Sequence, residues 1–169
     1  MSTGQVNAPI PFELTAGQAY QVIVSNNGAL STPESIQSAT VTPGVAYYAS
    51  GYAKAEHVDG TLITAASPAQ PGEYIVVFPV GMGPTTAPVA SGDAAPSNTP
   101  DTTIGADAPT VTLNSEAVSV ITYSGLTPTA VGLYQIDLQV PVDAPNGDLT
   151  LVVNQPGFLG VPVVLPVHN

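Results

Sequence analysis

The chain of 169 residues contains no cysteine, no tryptophan and no arginine, and Lys54 is its only lysine. The absence of cysteine excludes disulfide bonds and thiolate metal sites. One cationic side chain against twelve Asp and Glu gives a formal net charge of −11, so the chain has nothing with which to neutralise the phosphates of a nucleic acid. The same charge disfavours an anionic membrane surface. We therefore expect neutral ligands, cations or other proteins as partners, and no nucleic acid.

The sequence also lacks long apolar runs. No stretch approaches the length of a membrane span, and no basic segment followed by an apolar one opens the chain. We expect no membrane insertion, and export would require a signal outside this chain. Only 8% of the residues are charged, and a surface rich in Thr, Ser, Asn and Gln is common in secreted bacterial β proteins. We therefore expect an extracellular or cell-surface location.

Proline and glycine, 18 and 16 residues, are spread along the whole chain, with Val, Ile, Thr and Tyr between them. No window has a sustained apolar period of 3.6, so the pattern predicts strands and no long helix. The predicted strands include residues 5–10, 19–25, 73–80, 110–113, 117–123, 134–140, 148–154 and 161–167. The run 74–78 is almost continuously apolar, which predicts burial on both faces of its sheet. Pro79 is expected at a strand end or a bulge.

An internal repeat relates the beginning of the chain to its end. Residues 5–23 match residues 135–153 at a constant offset of 130 (135 − 5), without a gap. The matched residues are Gln5-Val6-Asn7, Pro11, Gly17 and Val22-Ile23 in the first copy, and Gln135-Ile136-Asp137, Pro141, Gly147 and Val152-Val153 in the second. Two further strand-like runs precede only the second copy. We therefore expect the first copy to be partial and to need a strand partner, either from the middle of the chain or from another chain in a homo-oligomer joined through unpaired sheet edges.

These patterns divide the chain into three parts. Residues 1–84 are expected to hold the partial β unit and the central strands. Residues 85–108, rich in Pro, Ala and Thr, are typical of a long loop or linker. Residues 109–169 have the strand-and-turn spacing of an immunoglobulin-like unit. The predicted fold class is all-β, an immunoglobulin-like β-sandwich with one full unit and a partial N-terminal copy.

Five short motifs occur in a fixed order along the chain. They are Pro71-Gly72-Glu73, Gly81-Met82-Gly83-Pro84, Tyr123-Ser124-Gly125-Leu126, Gly132-Leu133-Tyr134-Gln135-Ile136 and Val140-Pro141. In this order they resemble an uncharacterised bacterial family found mainly at the C-termini of large acidobacterial secreted proteins. The resemblance covers roughly residue 5 to the end. It implies immunoglobulin-like domains and an extracellular setting, with no catalytic residue to transfer. Asp137 departs from the Asn that is usual in that family.

The densest polar cluster of the sequence comprises Lys54, Glu56, His57 and Asp59. A histidine beside two carboxylates has the chemistry of a general base or of a cation ligand. In an extended segment Glu56 and His57 point to opposite faces, whereas His57 and Asp59 share one. Glu56, His57 and Asp59 are therefore the candidate catalytic residues of a small glycosidase or esterase. The alternative is a solvated edge strand whose charges prevent aggregation.

Three tyrosines close together form a candidate ligand-binding surface. The rings of Tyr47, Tyr48 and Tyr52 have the flat faces on which sugars stack. The alternative is that they are partly buried packing residues, as tyrosines in β proteins often are.

Calcium is the one cofactor for which the sequence offers ligands. The long loop contains Asp93, Asp101 and Asp107 together with Asn98, and Ca²⁺ prefers oxygen ligands. The spacing matches no calcium-binding loop, so we assign no metal ligands and otherwise expect no cofactor.

The sequence thus favours a non-catalytic secreted or cell-surface module with a structural, adhesive or ligand-presenting role. Its expected partners are other domains of a larger surface protein, or a glycan. The contrasting hypothesis is the small hydrolase. The hydrolase hypothesis predicts a cleft that joins residues 56–59 to other polar groups, and the module hypothesis predicts none.

Overall fold

The computed structural model describes residues 6–97 and 108–169, and these residues form fourteen strands and no helix. The strands are β1 (Ala19–Val22), β2 (Ser25–Asn26), β3 (Ala29–Leu30), β4 (Glu34–Gln37), β5 (Gly44–Val45), β6 (Ala55–His57), β7 (Tyr74–Val77), β8 (Pro79–Val80), β9 (Thr110–Leu113), β10 (Glu116–Ala117), β11 (Ile121–Leu126), β12 (Tyr134–Gln139), β13 (Gly147–Asn154) and β14 (Val163–Val167). The predicted all-β class is confirmed. Over these residues no helix has the length and apolarity to cross a membrane.

Two antiparallel four-stranded sheets make up the body of the molecule. One has the strand order β10-β9-β13-β14, and the other has the order β11-β12-β7-β6. Side chains that alternate along β12 and β13 point inward, and a single buried cluster draws on both sheets. Its most enclosed members include Ile75, Ile136, Leu138, Leu151 and Val153. This shared core is the arrangement of a β-sandwich.

The second sheet draws strands from two of the predicted parts of the chain. β11 and β12 come from residues 109–169, whereas β6 and β7 come from residues 1–84. In the predicted linker, Ala95 is buried, and its N–H donates to the Ala130 carbonyl at 2.8 Å. Residues 98–107 of that linker lie outside the described residues. Strands on both sides of residues 85–108 therefore contribute to one sheet.

The apolar run 74–78 is buried on one face only, so the prediction of burial on both faces is wrong. Ile75 and Val77 are fully enclosed, whereas Tyr74 is 45% exposed and Val76 is half-buried. The outer side of β7 is therefore partly in contact with solvent. Pro79 begins β8 after a break at Phe78, which confirms its expected place at a strand boundary.

The N-terminal residues form a hairpin arm beside the sandwich. β1 pairs with β4, and β2 pairs with β3 at its tip. Residues 6–10 are not a strand, so that prediction is wrong over the described residues, while Gln5 lies outside them. Phe12 connects the arm to the body through its N–H, which donates to Ser91 Oγ at 2.8 Å. A cleft of about 430 Å³ separates the base of the arm from the body.

The segment Gly81-Met82-Gly83 fastens the two sheets together. Met82 is fully buried, and its carbonyl accepts a hydrogen bond from Gln155 Nε2 at 3.1 Å. The Gly83 carbonyl accepts one from the hydroxyl of Tyr134. A Cβ at Gly81 would lie 2.2 Å from the Thr42 carbonyl oxygen, and the φ of Gly81 is +70°. The close backbone approach therefore requires glycine at this position.

Candidate functional site

The predicted catalytic residues lie at the end of β6 and in the turn that follows it. Glu56 and His57 are neighbours on the strand, so their side chains point to opposite faces. Asp59 is in the turn, and its Oδ1 accepts hydrogen bonds from Thr61 N at 2.9 Å and Thr61 Oγ1 at 2.7 Å. No hydrogen bond joins the three predicted residues to one another among the described contacts. The structure therefore does not assemble Glu56, His57 and Asp59 into one bonded group.

His57 instead bonds to two residues that follow it in the chain. Its Nδ1 is 2.5 Å from Glu73 Oε1, and the two side chains are 16% and 22% exposed. Its Nε2 is 3.3 Å from Ser67 Oγ and 3.4 Å from the Ser67 carbonyl oxygen. The second carboxylate oxygen of Glu73 accepts the N–H of Gln70 at 2.8 Å. The result is a chain of polar contacts Ser67–His57–Glu73–Gln70.

Two tight turns bring these residues together. Thr64 and Ser67 exchange backbone hydrogen bonds of 2.9 and 3.1 Å, which closes a turn with Ser67 at its last position. Gly72 has φ of +83°, so the Pro71-Gly72 turn returns the chain to β7 with Glu73 as its lead-in residue. Between the two turns, Ala69 N donates to the Pro166 carbonyl at 3.0 Å, which fixes the segment against β14.

The electrostatics of the site favour a protonated histidine. The hydrogen bond with the Glu73 carboxylate raises the pKa of His57 above its ordinary value of 6.5, and burial opposes that rise. The Ser67 carbonyl adds a second acceptor that favours the protonated ring. The hydrogen bonds from Thr61 hold the pKa of Asp59 below its usual range. The His57 ring thus acts as a clamp that joins the two turns through Glu73 Oε1 at Nδ1 and through Ser67 at Nε2.

The same contacts have the order of an acyl-transfer triad. A serine hydroxyl, an imidazole and a carboxylate follow one another at hydrogen-bonding distance. A general base accepts the serine proton at Nε2, so that atom must be unprotonated. The Ser67 carbonyl oxygen, 3.4 Å from Nε2, can accept a hydrogen bond only if Nε2 carries a proton. Ser67 also ends an ordinary turn and has no strained elbow between a strand and a helix. A cavity of about 610 Å³ at this site is lined by residues that include His57, Ser67, Gln70, Glu73 and His168, which is the cleft that the hydrolase hypothesis predicts. The ordinary turn at Ser67 and the carbonyl acceptor near Nε2 are instead features of a structural clamp.

Ser67, Gln70 and Glu73 are the members of this cluster that the predicted catalytic set did not include. The pairing of β6 with β7 puts His57 opposite Ile75, so Glu73 is its diagonal neighbour across the two strands. Predicting this diagonal contact requires the register of β6 against β7, and a loop of sixteen residues separates these two strands. The available signal was the Pro71-Gly72 turn, which begins β7 at a fixed position.

The three candidate ligand-binding tyrosines occupy different environments. Tyr47 is 58% exposed. Lys54 Nζ lies 5.5 Å from the centroid of the Tyr48 ring, a cation–π distance. The hydroxyl of Tyr52 donates to Asp148 Oδ2 at 3.0 Å, and this bond raises the pKa of Tyr52. Tyr52 therefore contributes to the contact between its loop and β13, and Tyr47 has the most accessible ring of the three.

The proposed calcium ligands cannot be assembled from the described residues. Asn98, Asp101 and Asp107 lie outside them, and Asp93 is exposed. Within residues 6–97 and 108–169, no group of three or more His, Asp or Glu side chains is arranged to hold a metal ion. Calcium binding therefore stays a prediction from the sequence.

Comparison with protein-family models, with curated proteins and with solved structures finds no match to this chain. The function is therefore argued from the fold and from the contacts described above.

Proposed function

We propose that this chain is a non-catalytic secreted or cell-surface β-sandwich module with a structural, adhesive or ligand-presenting role. The main support for the proposal is that each copy of the repeat forms a hairpin. β13 and β14 pair with Leu149 opposite Leu165, and β1 and β4 pair with Ala19 opposite Gln37. Leu149 and Ala19 are related by the offset of 130 of the sequence repeat, whereas their partners Leu165 and Gln37 differ by 128 (165 − 37), so the second strand of the hairpin is shifted by two residues between the copies. Self-similarity at a fixed offset is typical of chains assembled from tandem units.

An immunoglobulin-like unit is supported by two antiparallel sheets, to which residues 109–169 contribute β9 to β14 and residues 1–84 contribute β6 and β7. Two sheets of antiparallel strands enclose one core, with short connections between β9, β10 and β11 and between β12 and β13. The ordered motifs and the resemblance to the acidobacterial secreted family fit the same interpretation. The motif Gly81-Met82-Gly83 has a packing role in the core, which accounts for these residues without a catalytic function.

Chromogenic substrates test the proposal directly. We expect p-nitrophenyl esters and p-nitrophenyl glycosides to show no enzymatic turnover above buffer when the full chain is added. His57→Gln and Ser67→Ala should not change the measured rate. Saturable turnover that either substitution abolishes would overturn the module in favour of a hydrolase.

A hydrolase is the second candidate, because Ser67, His57 and Glu73 follow one another in triad order. In that function Ser67 Oγ would attack an ester carbonyl, His57 Nε2 would take its proton and return it to the leaving alcohol, and Glu73 would hold Nδ1–H. Substitutions at Glu56 and Asp59 distinguish this triad from the catalytic residues that the sequence predicts. Loss of activity in Ser67→Ala with full activity in Glu56→Ala and Asp59→Asn would select the triad, and the reverse would select the predicted carboxylates.

The adhesive variant of the module is a glycan-binding surface at Tyr47, Tyr48 and Tyr52. Tyr47 supports it because its exposed ring is accessible for stacking. A glycan array probed with the full chain should give hits that Tyr47→Ala removes. Tyr74→Ala, at a similarly exposed tyrosine on β7, is the matched control and should keep them.

A further inference from the structure

The β1 strand of the hairpin arm has a free edge. It pairs with β4 on one side, and no strand pairs with its other side in the described residues. Farther along the same segment, both backbone groups of Val24 turn towards Ser31: the N–H donates to Ser31 Oγ at 3.0 Å and the carbonyl accepts Ser31 N at 2.9 Å. Because backbone groups alternate along a strand, those of Ile23 face the opposite, unpaired edge.

The repeat shows what covers the equivalent edge in the second copy. Residues 21–24 correspond to residues 151–154 of β13, and these pair with β9. In that ladder Leu151 lies opposite Leu113 and Val153 lies opposite Val111. The edge that is free in the first copy is therefore closed in the second by one short strand of alternating threonine and apolar residues.

Burial differs between the two copies at the same repeat position. Val153 is 0% exposed, whereas its counterpart Ile23 is 50% exposed. The neighbours Val22 and Val24 are also exposed, and residues 14–33 contain no charged side chain. Three consecutive exposed apolar residues beside unpaired backbone groups are the features of a strand-addition site.

We propose that the free edge of β1 accepts a β-strand of β9 character, with apolar residues alternating with threonine, donated by another unit of the same repeat type. The strand runs antiparallel to residues 21–24, as β9 runs against β13. A residue equivalent to Val111 lies opposite Ile23, and one equivalent to Leu113 lies opposite Gln21. The β9 of a second copy is not the donor, because it already pairs with its own β13 and β10.

A labelled peptide of residues 108–119, which carries β9 and β10, is the probe. Titration with the full chain should raise its fluorescence anisotropy saturably. Ile23→Lys should weaken binding at least about tenfold, because it puts a charge beside the added strand. Leu30→Lys, at an exposed residue of β3 away from this edge, is the matched control and should bind like the parent chain. Absence of binding, or equal binding by both variants, would overturn the proposal.

Disulfide trapping tests the register, because the chain has no cysteine of its own. The Ile23→Cys chain should cross-link quickly with a peptide that carries Val111→Cys, since directly opposed residues lie within the Cα separation of a disulfide. A peptide with Thr112→Cys should cross-link at least about tenfold more slowly, because a shift of one residue turns the side chain to the other face. Equal rates would show that no fixed register exists.

Light scattering of the chain alone tests whether the strand donor is another unit of the same repeat type or a second copy of this chain. We expect a monomer at every concentration, since no β9-like strand is free within residues 6–97 and 108–169. A dimer that Ile23→Lys dissociates would show that β1 pairs with β1 of another chain and would overturn the assignment of the donor. This interface depends on the repeat and not on the absence of catalysis, so turnover of a chromogenic substrate would overturn the proposed function and leave the interface standing.

Discussion

The His57 clamp joins β6 to the two turns that follow it, and its strength depends on protonation. The Glu73 carboxylate raises the pKa of His57 above 6.5, so the folded protein binds this proton more tightly than the unfolded chain does. The stability from the clamp is therefore complete below the unfolded pKa of about 6.5 and is lost as the pH rises through the folded pKa. The clamp thus favours the folded state at mildly acidic pH.

Urea unfolding at about pH 6 and about pH 8.5 measures this effect. We expect the parent chain to lose roughly 1 kcal/mol more than Glu73→Gln does over that interval, the size of a partly exposed, charge-assisted hydrogen bond. His57→Gln should show the same reduced dependence. A parent slope equal to that of Glu73→Gln would contradict the clamp.

Asp137 lies half-buried on β12, where the first copy of the repeat has Asn7. Burial raises the pKa of Asp137, and the hydrogen bond from Gln135 Nε2 opposes that rise. A raised carboxyl pKa means that ionisation at neutral pH costs folding free energy. We expect Asp137→Asn to stabilise the fold at pH 7 by up to about 1 kcal/mol after solvent screening, with the gain shrinking as the pH falls towards the pKa of the acid.

Thermal unfolding of Asp137→Asn should be compared with that of Asp143→Asn. Both substitutions remove one negative charge from a chain of net charge −11, but Asp143 is exposed. A gain confined to Asp137→Asn would identify burial as the cause. An equal gain in both variants would assign it to the lower net charge instead.

The Gly81-Met82-Gly83 segment connects the two sheets, and substitution of its first glycine tests how closely its backbone packs. Gly81→Ala should destabilise the protein by more than about 2 kcal/mol, because the new Cβ would collide with the Thr42 backbone and the residue would keep a positive φ. Gly92 has φ of +91° and no atom within 4 Å of its ideal Cβ. Gly92→Ala, with conformational strain alone, should cost about 1 kcal/mol. Equal losses in urea unfolding would contradict the steric argument.

Strands with their own alternation could be predicted from the sequence, and contacts between distant strands could not. Residues 110–113 were predicted as a strand and form β9, and the run 134–140 contains β12. Local periodicity is sufficient for both. The prediction fails at residues 6–10 for a different reason: in the described part of the chain they belong to no sheet, and local alternation does not show whether a neighbouring strand is available to pair with.

The candidate site was predictable in one residue and not in its partners. His57 was identified because it lies in the densest polar cluster of the sequence, beside the carboxylates of Glu56 and Asp59. Its bonds to Ser67 and Glu73 depend on a turn and on the register of β6 against β7. Register is set by the packing of whole strands, so no spacing in the sequence could have paired His57 with Glu73 rather than with Asp59.

At the scale of the whole molecule, the sandwich and the hairpin arm should differ in local stability. β7 and β12 lie inside a sheet with a shared core, whereas three of the four residues of β1 and of β4 are exposed. Hydrogen exchange followed by mass spectrometry should therefore show amides of β12 exchanging at least about 100-fold more slowly than those of β1, since opening the arm exposes little apolar surface. The peptide of residues 108–119 should slow the exchange of fragments that contain Gln21 and Ile23 and leave β12 unchanged, because an added strand engages the backbone groups of these two residues at the free edge. Equal protection of β1 and β12 in the chain alone, persisting after tenfold dilution, would mean that the arm is already covered within one chain and that its edge is not open to a partner.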